Sequence, residues 1–89
     1  MKSRTTARFR QAYESLPPHI KRRAKAAFKQ FQKDPHHSSL RFKQVHPTKP
    51  VFSARASLDY RVLGVRSDDL IVWFWIGSHS DYDKLISRL

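Results

Sequence analysis

Apolar residues recur along this chain with two periods, first near 3.6 and then near 2. Phe9, Ala12, Tyr13 and Leu16 fall at i, i+3, i+4 and i+7, which predicts a short helix. Pro17 and Pro18 interrupt it, and Pro18 suits the first position of a second helix, where a missing N–H costs nothing. Ile20, Ala24, Ala27, Phe28 and Phe31 then line one face of a helix over about 18–33, while Lys21, Arg22, Lys25, Lys29 and Lys33 crowd the others. Asp34-Pro35 ends it, because the residue before a proline is pushed out of the α region. The two segments read as a helical hairpin.

Beyond the polar loop 35–39 the alternation predicts strands. The first covers 40–46, with Leu40, Phe42 and Gln44 on one face and Arg41, Lys43 and Val45 on the other. The second covers 51–56, the third 60–65 after a Ser57-Leu58-Asp59 turn, and Arg66–Asp69 forms the next turn. Leu70 to Ile76 is apolar throughout, as in a strand covered on both faces. Trp73 and Trp75 are two apart, so both are expected to point one way, under the helices or toward a stacking surface. Gly77 is expected to end that strand and Ser80 to cap a last helix, with Tyr82, Leu85, Ile86 and Leu89 as its apolar face. A strand within residues 2–7 is only weakly signalled. The expected fold is one α+β domain over 1–89: an N-terminal helical hairpin on a small four-stranded antiparallel sheet, with a short C-terminal helix.

Charge adds a direction. The chain has 18 Lys and Arg against 7 Asp and Glu, a net charge of +11. All of that excess lies in residues 1–49, which hold thirteen Lys and Arg and two acids, whereas 50–89 hold five of each. Such segregation points to a polyanion, with an acidic protein as the alternative partner. The chain has 89 residues and no cysteine, so disulfides and thiolate metal sites are excluded. No apolar run is long enough for a membrane span and no signal-peptide core is visible, so no membrane partner and a cytoplasmic location are expected.

The candidate chemistry clusters around the sheet: Arg55, Arg61, Ser78, His79 and Tyr82. Arg55 and Arg61 flank one turn and can face the same region. An imidazole beside two guanidiniums suits RNA cleavage, with the histidine moving a proton at a 2′-OH or leaving oxygen and the arginines holding the phosphate. RNA carries its own nucleophile, so no metal or cofactor is required. Each residue has a plainer alternative: Arg61 pairing with Asp59, Asp68 or Asp69, Arg55 as a surface residue, His79 bonding to backbone, and Tyr82 packed in the core with its hydroxyl at the rim. Gly64 and Gly77 are the only glycines, so there is no glycine-rich phosphate loop.

Several stretches together resemble the RelE/ParE superfamily of bacterial toxins from toxin–antitoxin pairs: Leu40-Arg41-Phe42-Lys43, Phe52-Ser53-Ala54-Arg55, Asp59-Tyr60-Arg61-Val62-Leu63, and Trp73 through Leu85 with Ile76-Gly77-Ser78-His79 at its centre. The resemblance implies a curved sheet carrying two N-terminal helices. It implies a ribosome-dependent endoribonuclease that cuts mRNA in the A site by 2′-OH attack, with mRNA, rRNA and an antitoxin bearing an acidic segment as partners. By the same resemblance His79 is the acid or base, Arg55 and Arg61 hold the phosphate, and Lys43 assists. Arg41 and Tyr82 lie near the substrate, while Arg22, Lys25, Lys29 and Lys33 supply basic surface for RNA. The chain lacks the acidic base that some members use. The alternatives are a gyrase-inhibiting toxin of the same fold without nuclease chemistry, and a non-toxic RNA-binding relative.

Overall fold

In the computed structural model, which describes residues 1–88, the elements run β1 (Lys2–Thr5), α1 (Ala7–Glu14), α2 (Pro18–Lys33), a 3-10 turn (Ser38–Leu40), β2 (Lys43–Gln44), β3 (Val51–Ser57), β4 (Tyr60–Ser67), β5 (Leu70–Ser78) and α3 (His79–Ile86). Strands β2 to β5 form the expected antiparallel meander. The sheet nevertheless has five strands, in the order β1-β5-β4-β3-β2, because β1 pairs parallel to β5 from Lys2↔Leu70 to Thr5↔Trp73. It is therefore a mixed sheet rather than a four-stranded antiparallel one. Lys-Ser-Arg-Thr offers no apolar alternation, and backbone pairing with an apolar neighbour holds it in place.

The helices follow their end signals. Thr6 caps α1 by accepting the Phe9 N–H on its hydroxyl, and Pro18 opens α2. Each helix packs on its own strand, α1 on β5 and α2 on β3. They are tied to one another by the Tyr13 hydroxyl, which donates to the Lys21 carbonyl at 3.2 Å, and by the Lys21–Glu14 ion pair. This is a looser arrangement than a close-packed hairpin, and an apolar cavity of about 590 Å³ runs between the helices and the sheet, lined by Phe9, Tyr13, Phe28, Trp73 and Ile76 among others.

Two cores result, one on each face of the sheet. On the face carrying α1 and α2, Phe31, Leu40, Ala54, Ile71 and Trp73 are buried together. On the other, Val51, Leu63 and Tyr82 pack with Phe74, Trp75, Leu85 and Ile86 beneath α3. Leu63 and Ile71 are fully buried, one in each core. Each such side chain contributes roughly 1.5–3 kcal/mol. Among the described residues no helix is long and apolar enough to cross a membrane.

Five local expectations are corrected. The stretch 40–46 is not one strand: Leu40 closes the 3-10 turn, Arg41 is left-handed at φ 47°, and only Lys43–Gln44 pair with β3. Leu40 and Phe42 both reach the helix-side core, so their spacing imitates a strand. Trp73 and Trp75 point to opposite faces, because Leu63↔Trp75 and Gly64↔Trp73 leave Phe74 as an extra, bulged residue. Strand β4 continues to Ser67, so its turn is shorter than Arg66–Asp69, with Asp68 left-handed at φ 53°. Gly77 does not end β5 but pairs with Arg61 inside it, and the α3 cap is Ser78, whose hydroxyl accepts the Asp81 N–H, rather than Ser80. Leu89 lies outside the described residues.

Candidate functional site

The ladder aligns the candidate residues across one face. Lys43 lies opposite Ser53, and Arg55, two residues further along β3, lies opposite Arg61 of β4. Arg61 in turn lies opposite Gly77, one residue before the cap that starts α3 at His79. Side chains two apart on a strand, or directly paired, share a face. Ser53 and Arg61 are therefore on the α3 side, where the Tyr82 hydroxyl donates to Ser53 Oγ at 3.2 Å.

The turn between β3 and β4 brings the arginine and the histidine together. Arg61 Nη1 donates to the carbonyls of Ser57, Leu58 and Tyr60 at 3.1, 3.2 and 3.1 Å. The Asp59 carbonyl accepts the His79 backbone N–H at 2.6 Å. One turn thus fixes both groups. Arg61 binds this backbone rather than Asp59, Asp68 or Asp69, with no ion pair among the described residues. Partial burial holds its guanidinium pKa below the usual arginine range, the charge of Arg55 acts in the same direction, and Tyr82 opposes them, with smaller effects of Arg41 downward and Asp59 upward. Arg41, Arg55 and Arg61 form a cationic cluster, and Arg55 Nε is buried with no hydrogen-bond partner.

His79 is half exposed at the first position of α3. Its Nε2 lies 3.4 Å from Asp83 Oδ2, and its ring centroid lies 5.9 Å from that of Tyr82. Asp83 was not singled out from sequence. The i,i+4 spacing of His79 and Asp83 on a helix is the signal that would have found it. Ser53 was also missed. It is a buried serine in an alternating strand, and only the partner across the sheet explains it. Tyr82 is buried, and its hydroxyl is engaged within the fold.

The structure does not bring every expected residue to this face. Arg22, Lys25, Lys29 and Lys33 lie exposed on α2, which packs against the opposite side of the sheet. Lys43 shares the face of Ser53 but lies at its margin, exposed on the short edge strand β2. Arg41 and Arg55 neighbour Arg61, His79 lies beside Tyr82 at the start of α3, and the α2 basic face is a separate surface.

The family model of the ParE-like toxin domain matches residues 18–84. The chain belongs to the ParE-like toxin domain family. Solved structures share its RelE/ParE fold. A chain of the RelB–RelE antitoxin–toxin complex from Methanococcus jannaschii aligns with a TM-score of 0.72 at 19% identity, covering 91% of this chain and 96% of that one. The archaeal RelE–RelB complex from Pyrococcus horikoshii gives a TM-score of 0.70 at 19% identity over 88% and 93% of the two chains. The toxin–antitoxin complex RelBE2 from Mycobacterium tuberculosis gives 0.65 at 24% identity over 86% and 95%. No curated protein matches the sequence significantly. At 19–24% identity these likenesses show the shared fold.

Proposed function

We propose that this ParE-like domain is the toxin of a type II toxin–antitoxin pair and acts as a ribosome-dependent mRNA endoribonuclease. The observation that carries the reading is the convergence on one turn of Arg61, opposite Arg55, and of His79. The guanidiniums of Arg55 and Arg61 bind the scissile phosphate and offset the charge that builds on it when the neighbouring 2′-OH attacks. His79 moves the proton, either from the 2′-OH or to the leaving 5′ oxygen, and Asp83 holds the imidazole in orientation. The wall beneath the imidazole is Tyr82, kept in place by Ser53. Lys43 and Arg41 extend the positive potential along the incoming strand. The basic α2 face, with Arg22, Lys25, Lys29 and Lys33, docks on ribosomal RNA phosphates, where affinity falls steeply with salt. An antitoxin is the restraining partner, its acidic segment covering cationic surface. Docking on the ribosome positions the substrate, so naked RNA is a poor substrate.

The test is induction in growing cells. Wild-type protein is expected to arrest growth and leave ribosome-associated mRNA cuts, and His79→Ala to abolish both at equal expression. Growth arrest that survives His79→Ala with DNA supercoiling lost would replace this reading with the gyrase-inhibiting one.

A further inference from the structure

A second cavity, of about 390 Å³, lies between α2, the 3-10 turn and the end of β3. Its polar lining comes from Arg23, Gln30, Ser39, Arg55 and Ser57, with no carboxylate among the lining residues. It sits at the open edge of β3, since β2 pairs only with Phe52 and Ser53 and leaves the edge of Ala54–Ser57 away from β4 without a strand. Among the described residues, three buried side-chain polar atoms lack a hydrogen-bond partner, and two of them, Arg55 Nε and Ser57 Oγ, belong to residues lining this cavity. Neither Arg23 nor Arg55 has an ion-pair partner among the described residues. Native folds seldom leave buried donors unpaired, and a cavity with two arginines and no carboxylate in its lining suits an anion.

We infer that this cavity is a phosphate subsite for the RNA strand, contacted by Arg23 and Ser57, next to the phosphate held by Arg55 and Arg61. Its position resolves a feature of the charge distribution. The arginine cluster and the basic face of α2 lie on opposite sides of the sheet, and the open edge of β3 is the route between them. A strand leaving the cluster crosses that edge and places its next backbone phosphate in the cavity. This inference rests on the nuclease reading for the identity of the strand.

The experiment measures binding of a short, fluorescein-labelled 2′-O-methyl oligonucleotide, which cannot be cut, to the full chain. The variants are Arg23→Gln, Ser57→Ala, and Lys2→Gln on the far edge as the control for charge alone. Arg23→Gln is expected to weaken binding about five- to tenfold and to make the slope of log K against log salt shallower by about one. Ser57→Ala is expected to weaken binding about twofold or more at an unchanged salt slope, because it removes a neutral contact. If Arg23→Gln matches Lys2→Gln in both affinity and slope, the subsite is overturned. If inorganic phosphate shifts the Arg55 Nε–H resonance but the oligonucleotide does not, the cavity takes a small free anion and the RNA assignment is overturned. Since the probe is uncleavable, failure of the nuclease reading appears separately, as binding without cleavage of ribosome-bound mRNA.

Discussion

At the residue scale, the site depends on a few contacts whose removal has distinct consequences. Tyr82 and Ser53 share a buried hydrogen bond, so Tyr82→Phe leaves Ser53 without its partner and costs about 1 kcal/mol in urea denaturation. Cleavage should persist in that variant, because the hydroxyl faces Ser53 rather than substrate. Gly77 is fixed by space: a Cβ there would stand 2.5 Å from Trp75 Cζ2. Gly77→Ala therefore overpacks the α3-side core, with an expected loss of about 1–3 kcal/mol by the same measurement. The strand position that separates Arg61 from α3 is thus also the one that admits the indole.

At the element scale, α3 carries both His79 and Tyr82, and Ser78 caps it. Ser78→Ala should cost about 1 kcal/mol, as should Thr6→Ala at the start of α1. The two differ in activity. Loosening the first turn of α3 displaces His79, so Ser78→Ala is expected to reduce cleavage severalfold at matched folded fraction, while Thr6→Ala leaves it unchanged. The caps also mark what could be read from sequence. Periodicity located α1, α2 and α3, and the run from Leu70 to Ile76 located β5, because these segments bury regular apolar faces. It failed at β1, which is held by backbone pairing without an apolar face, and at 40–46, where a 3-10 turn and a left-handed Arg41 give the same i,i+2 burial as a strand. The bulge at Phe74 has no signature in composition, and it alone sends Trp75 away from Trp73. The pairing of Arg55 with Arg61 was legible because one short turn joins their strands, and the place of His79 was legible as the junction between β5 and α3. Asp83 and Ser53 become visible only when a helix face or a cross-sheet partner is drawn.

At the scale of the whole molecule, the +11 charge divides between two surfaces. The first half of the chain supplies the basic α2 face, and the strands supply the arginine cluster on the other side of the sheet. The depressed pKa of Arg61 has a defined sign. A partly buried cation beside two others is penalised in the folded state at every pH below its folded pKa, and the penalty is relieved only as pH rises through that value. Arginine keeps its proton in folded proteins, so an anion, and not pH, relieves that penalty. Phosphate at about five times its Kd should stabilise the protein by about 1 kcal/mol, roughly 4–8 °C in Tm, over chloride at equal ionic strength. Arg41→Gln should shrink that gain, since Arg41 is one of the charges it offsets.

The most direct measurement uses purified ribosomes programmed with two versions of one mRNA, one of them 2′-deoxy at the A-site codon. Wild-type protein should cut only the all-ribose message, leave a 2′,3′-cyclic phosphate, and fail to cut the same message off the ribosome, while His79→Ala cuts neither. Cleavage of the 2′-deoxy message, or no cleavage of either by wild-type protein that still arrests growth, would contradict the account.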